Sequence, residues 1–231
     1  MPIKSKNISE QAYLHIRDSL LKSGVYVGQK ISHQELGQKL GISHTPLREA
    51  LFRLSAEGLL KHENYKGFSV AAITLKEAEE IYEAREIIEP YLAQKASSQM
   101  TPAKAKAFRK IIAAYKQLMS EPFHRKRILT DKKFHLEIAK MAGNNTLTQM
   151  LTQMYDQLIF KSPVEKISSK RSKEAIKEHT EILKTLEKGD GRKAARIMRD
   201  HVRGQRDYVI QSIIAKQNSS QTINPLVKAT S

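Results

Sequence analysis

The stretch that decides the reading is Ser43-His44-Thr45-Pro46-Leu47-Arg48-Glu49-Ala50-Leu51. It reads as the opening of a helix that meets DNA. Ser43 can cap that helix, its hydroxyl accepting a backbone N–H of the first turn. Pro46 still lies in the first turn, where a missing N–H is tolerated. Leu47, Ala50, Leu51 and Leu54 recur at helical spacing and face a core. His44, Thr45 and Arg48 share the other face, a small polar and basic group suited to phosphates and base edges.

Both flanks extend the pattern. Residues 8–23 form an amphipathic helix with Ile8, Ala12, Ile16, Leu20 and Leu21 on one side and Gly24 as its stop. Residues 25–31 read as a short extended link. Ser32-His33-Gln34-Glu35 has the form of a capping box and opens a second helix with Leu36 and Leu40 inward. Gly41 turns it into the helix at Ser43, which Gly58 ends. Leu59 to Val70 reads as two short strands around Asn64-Tyr65-Lys66-Gly67, a hairpin with a basic tip. Three helices and such a hairpin predict a winged helix-turn-helix over residues 1–71.

After Val70 the strand signals stop. Thr74-Leu75-Lys76-Glu77 is another capping box and starts a helix to about Gln99, with Pro90 inside it predicting a kink or irregularity. Thr101-Pro102 opens a helix to about Ser120. Further helices are expected at 127–142, 145–160, 169–188 and 191–216, punctuated by Gly143 and Gly189. Residues 72–216 thus predict an all-α bundle, and the polar 217–231 a frayed tail. The fold class is mainly α.

Composition narrows the function. The 231 residues carry a formal charge of +16, which favours an anionic partner. Residues 1–70 hold 10 basic against 6 acidic side chains, while 71–231 hold 30 against 18, so the excess is not concentrated in the DNA-binding segment. With no cysteine there are no disulfides and no cysteine-based zinc fingers. The absence of a secretory signal or an 18-residue apolar run leads us to expect a cytoplasmic protein with no membrane partner. Few aromatics and no tryptophan argue against stacking on single strands.

The predicted bundle places polar residues where a core belongs. The stripe 128, 131, 135, 138, 142 reads Ile, Asp, His, Ile, Ala; the stripe 176, 179, 183, 186 reads Ile, His, Leu, Leu; and 194, 197, 201, 205, 208 reads Ala, Ile, His, Gln, Tyr. Asp131 and His135, at i and i+4, can reach one point. Any one of these histidines alone reads as a hydrogen-bonded core residue. Asp131, His135, His179 and His201 on converging faces read instead as ligands to a divalent transition metal, zinc first, with nickel, manganese or iron as alternatives.

Taken together the chain resembles the GntR family of bacterial transcription regulators, in the FadR-like branch with an FCD ligand-binding domain. In the N-terminal part the resemblance rests on Gln34-Glu35-Leu36-Gly37, Leu40-Gly41-Ile42-Ser43, Thr45 to Leu51, and Leu54 to Leu60. In the C-terminal part it rests on Ala84-Arg85 with Glu89, Asp131-Lys132-Lys133-Phe134-His135, Ala142-Gly143-Asn144, Glu178-His179, and Gly189-Asp190 to His201. It implies a homodimer that binds a palindromic double-stranded operator, and the reading is a repressor, or else an activator, controlled by a small organic acid. On this resemblance Gln34, Ser43, His44, Thr45, Pro46 and Arg48 meet DNA, and Lys66 and Gly67 form the wing tip. The Asp, His, His, His set matches the family's metal-binding subgroup. Arg85 matches an arginine placed to hold an effector carboxylate, or else forms an ion pair with Glu89 one turn away. The family usually has arginine where this chain has His44, and frequently at Gln34, and histidine cannot copy arginine's two bonds to guanine.

Other readings stay open from sequence. One is a metal-dependent hydrolase with an accessory DNA-binding module, since a zinc-bound water can attack an ester, although no obvious general base shares the stripes. Another is a regulator whose metal is purely structural or is itself the signal, and a third a DNA binder without sequence preference.

Overall fold

Hydrophobic spacing and caps dictate the helices, and Gly and turn residues end them. The computed structural model describes residues 4–23, 27–120, 125–161 and 168–222. The chain divides into two compact units. The first holds the described residues up to Ile73 together with those of 120–130 and 152–166, and the second holds the rest.

In the first unit, α1 (Lys4–Ser23) lays Ala12, Tyr13, Ile16, Leu20 and Leu21 against Leu47, Ala50, Leu51 and Leu54 of α3 (His44–Ala56). Ile8 was expected on the same side but is 44 % exposed. Successive i+4 steps drift about 40° around a helix, so the stripe through Ile16 and Leu20 has rotated away from Ile8. The stop at Gly24 lies outside the described residues. Between α1 and α3, Ser32 caps α2 (His33–Leu40) by accepting the Glu35 N–H, and Gly41 closes it at φ +63°. Ser43 stands at the N-cap of α3 in extended conformation, yet its side chain makes no cap hydrogen bond, contrary to the sequence expectation. Pro46 occupies the third helical position and removes one of the two N–H groups a capping hydroxyl can reach.

The segment read as a link contains a strand, β1 (Lys30–Ile31). It pairs antiparallel with β3 (Gly67–Val70), which pairs antiparallel with β2 (Leu60–Glu63), giving the order β1-β3-β2. Two residues are too few to show alternation, which is why the sequence hid this strand. Tyr65 sits at φ +65° in the β2–β3 turn, a left-handed conformation uncommon outside glycine.

The second unit is helical. Thr74 and Glu77 complete a reciprocal capping box that starts α4 (Leu75–Ser97), one continuous helical run through Pro90. Thr101 caps α5 (Pro102–Gln117), and a 3-10 turn at Leu118–Ser120 replaces the last turn expected of that helix. Four more follow: α6 (Arg125–Met141), α7 (Asn145–Lys161), α8 (Ser169–Glu187) and α9 (Gly191–Thr222). Their bounds fall within a few residues of the expected ones, except that α9 continues to Thr222, past the expected end at 216 and into the stretch read as frayed. Asp190 Oδ1 accepts the Lys193 N–H and caps α9. By residue membership, 125–130 of α6 and 152–161 of α7 belong with the first unit.

Candidate metal centre and nucleic-acid interface

Helix α6 carries Asp131 and His135 one turn apart, α8 carries His179 and α9 carries His201. Asp131 is 6 % exposed and the three histidines 1 % each. One ligand atom from each of the four lies within 4.8 Å of the others. His179 Nε2 is 3.4 Å from Asp131 Oδ1, His135 Nε2 is 3.8 Å from Asp131 Oδ2, and His135 Nε2 is 3.2 Å from His201 Nε2. The structure therefore brings together the four residues that the stripes singled out.

The electrostatics of the cluster ask for a cation. His201 Nδ1 lies 2.5 Å from Glu178 Oε2, and His135 Nδ1 lies 2.5 Å from Glu89 Oε2. Burial opposes the charge on Glu89, but Arg85 and His135 outweigh it and hold the carboxyl at about 2. Burial likewise opposes the charge on Glu178, and the hydrogen bonds from His201 and Arg171 hold that carboxyl at about 2 as well. An ionised carboxylate only accepts, so His201 donates to Glu178 from Nδ1 and its Nε2 faces the cluster, while His135 Nδ1 meets Glu89 as a close ion-pair contact. The Nε2 atoms of His201 and His135 face each other at 3.2 Å. Burial, then the neighbouring His201 and His135, push His179 well below the ordinary imidazole range, and its buried Nε2 makes no hydrogen bond. Two ligand atoms held about 2.0–2.2 Å from one ion stand about 3–3.5 Å apart, so the spacings suit a shared cation. Three nitrogens and one carboxylate oxygen suit a transition metal. Gln205, one turn beyond His201, places its amide nitrogen 3.1 Å from His201 Nε2 and 3.3 Å from Asp131 Oδ2.

The other expected site gathers on the first unit. Gln34, Ser43, His44, Thr45 and Arg48 are exposed around the starts of α2 and α3, and Pro46 is half-buried among them. The Arg48 guanidinium lies over the Phe52 ring at 5.4 Å. The His33 and His44 rings are 5.5 Å apart, and burial together with His44, Arg48 and His62 lowers the affinity of His33 for a proton. At the β2–β3 turn Lys66 Nζ is 3.0 Å from Glu63 Oε2, and Gly67 takes φ +80°. The side chain of Tyr65 there is fully exposed. An exposed helix N-terminus of this kind and a basic hairpin tip are the parts a winged helix presents to a duplex.

Two family models match these two parts of the chain: bacterial regulatory proteins of the gntR family over residues 8–70, and the FCD domain over residues 80–204. The chain belongs to the GntR family and carries an FCD domain. This GntR regulator is 22 % identical to the HTH-type transcriptional repressor RspR of Escherichia coli over 92 % of each chain. It is 24 % identical to the Uxu operon regulator of Haemophilus influenzae over 85 % of this chain and 81 % of that one. Among solved structures, Escherichia coli McbR/YncC superposes with a TM-score of 0.78 at 20 % identity, over 89 % of this chain and 98 % of that one. A Rhodococcus GntR regulator gives 0.75 at 16 % identity, over 88 % and 97 %. These relatives and families are transcriptional regulators rather than enzymes, so the hydrolase reading falls away. No helix among the described residues is long and apolar enough to cross a membrane.

Within the FCD domain the structure also decides which neighbour Arg85 has. The side chain is 1 % exposed, its Nε donates to Glu89 Oε1 at 2.6 Å, and its guanidinium lies over the Tyr82 ring. This is the ion pair that the sequence offered as the alternative to an effector clamp, so a ligand carboxylate would meet an arginine already engaged. What sequence reasoning missed is the pair of carboxylates at Nδ1. Glu89 entered only as a partner for Arg85, and Glu178 only as the neighbour of His179. The available signal was their place on helices that face the ligand stripes.

Proposed function

We propose that this GntR regulator is a repressor that binds a palindromic operator as a homodimer, under control of a small organic acid at a metal centre made by Asp131, His135, His179 and His201. On this reading residues 1–71 form the DNA-binding domain, and 72–216 the effector-binding and dimerising domain, in a cytoplasmic protein. The observation that carries it is the burial of one carboxylate and three imidazoles with their ligand atoms within 4.8 Å. A divalent ion held by these four residues, zinc first, would supply a Lewis acid for a carboxylate or hydroxyl of the effector. Gln34, Ser43, His44, Thr45, Pro46 and Arg48 contact one half-site, with Lys66 and Gly67 in the neighbouring groove. One recognition helix reads too few base pairs for useful specificity, which favours two chains on two half-sites about 34 Å apart. Metal and acid alter DNA affinity only if they bind two arrangements of the dimer unequally.

The near-complete burial of the three histidines supports a second reading, in which the metal is structural. The test selects a preferred duplex from random DNA with the purified protein. Affinity is then measured with metal stripped, restored, and restored together with candidate organic and sugar acids. An acid that weakens binding only with metal present is the expected result, and indifference to every acid leaves the structural metal. In the same assay Arg48→Ala should lose the selected sequence yet keep its metal, and retained operator affinity would refute the assignment of α3.

A further inference from the structure

We propose that Glu89 and Glu178 are positioning residues of the metal centre. Each is anchored by an arginine, holds one histidine through Nδ1 and turns that ring's Nε2 toward the ion. The proposal rests on the reading of Asp131, His135, His179 and His201 as metal ligands.

Two parallel chains of contacts carry it. Arg85 Nε donates to Glu89 Oε1 at 2.6 Å, and Glu89 Oε2 stands 2.5 Å from His135 Nδ1. The Arg171 guanidinium grips Glu178 with both arms, at 3.1 and 2.8 Å, and Glu178 Oε2 stands 2.5 Å from His201 Nδ1. Each glutamate thus divides its oxygens between an arginine that fixes the carboxylate and an imidazole that the carboxylate fixes. A carboxylate at Nδ1 selects the Nδ1–H tautomer, sets the ring plane and makes Nε2 more basic. The third histidine is held differently. His179 stacks on Phe134 with ring centres 4.1 Å apart and planes 23° apart, and apolar packing sets its ring. Charge supports the same division of labour. Arg85 and Arg171 cancel Glu89 and Glu178, so the two chains orient without adding net charge. Asp131 is left as the one anionic ligand. A divalent ion on that set keeps a residual positive charge for an anionic effector.

Zinc affinity, measured by chelator competition on the full chain, tests this for wild type, Glu178→Gln, Glu89→Gln and His179→Ala. Glu178→Gln should bind zinc about ten- to a hundredfold more weakly, still at one ion per chain when saturated. Nitrogen-15 spectra of the metal-free protein give the second readout. His201 should be the Nδ1–H tautomer in wild type and lose that preference in Glu178→Gln, with His135 unchanged. A general loss of structure would not single out one ring. Glu89→Gln should do the same to His135 alone. If that variant fails to fold, because Arg85 is buried beside a neutral amide, Glu178→Gln decides, since Glu178 is 31 % exposed. Wild-type affinity and tautomer in the glutamine variants, with His179→Ala unable to bind, overturn the positioning roles and leave the metal centre standing. A wild-type protein that takes up no zinc overturns both.

Discussion

His44, like Gln34, is a position where this chain lacks the arginine that its resemblance to the family implies. It stands exposed in the first turn of α3, with its ring 5.5 Å from that of His33. An arginine there can give guanine two hydrogen bonds, each good bidentate pair being worth about 1–3 kcal/mol of discrimination. An imidazole offers at most one bond in that geometry, so base choice at that position should be relaxed. His44→Arg is therefore expected to sharpen a preference for guanine at one position of each half-site by about tenfold or more. Binding selection on the two proteins measures it, and identical base profiles would place His44 away from the bases. Lys66 acts through charge alone in this picture. In the free protein it shares Glu63 with Lys61, whose hydrogen bonds hold that carboxyl at about 2.

Helices in this chain are held by contacts at their ends, and two of these give measurable consequences. Gly191 opens α9 where a Cβ would meet Ser97 Oγ at 2.6 Å and the Gln94 carbonyl at 2.7 Å. The carbonyl is backbone and cannot swing aside, so Gly191→Ala must push α9 off the end of α4. A loss of about 1–3 kcal/mol is expected, read as a lower melting temperature. An unchanged value would mean that the helix end gives freely. In the first unit, the Tyr13 hydroxyl of α1 donates to Glu57 just past α3, at 2.8 Å to one oxygen. Burial first, then that hydrogen bond, raise the phenol to about 12. The folded state therefore favours the protonated phenol. Its contribution to stability is present below the unfolded value near 10 and is lost as pH climbs from there towards about 12. Ultraviolet titration of Tyr13→Phe should lose one late tyrosine and keep that of Tyr82, whose phenol burial also raises. The same elements show what was legible beforehand. The caps at Ser32, Thr74 and Thr101 and the ends at Gly41, Gly58 and Gly189 place most helices because capping chemistry is local. Strand β1 was not legible because its only support is pairing with β3, far along the chain. The four clustered positions were legible because polar residues interrupt apolar stripes. Glu89 and Glu178 were not, since which carboxylate meets which Nδ1 depends on how four helices pack.

At the scale of the whole molecule, one buried polar cluster joins α6, α8 and α9 through Asp131, His135, His179 and His201, and α4 through Glu89. Without an ion, the Asp131 carboxyl sits at 6 % exposure against three buried imidazoles, and Nε2 of His179 makes no hydrogen bond. An ion that binds only the folded chain stabilises it by mass action. Free metal at a thousand times its dissociation constant adds about 4 kcal/mol. For a chain of this size a kilocalorie moves the melting temperature by about 2–4 °C, so metal removal should lower it by on the order of 10 °C. Calorimetry before and after chelation, with zinc restored as the control, reads this directly. His179→Ala protein should melt at the lower temperature with or without zinc. A wild-type melting temperature indifferent to chelation and to zinc would mean that the four residues form a hydrogen-bonded polar core and that DNA binding by this regulator does not depend on a metal at this site.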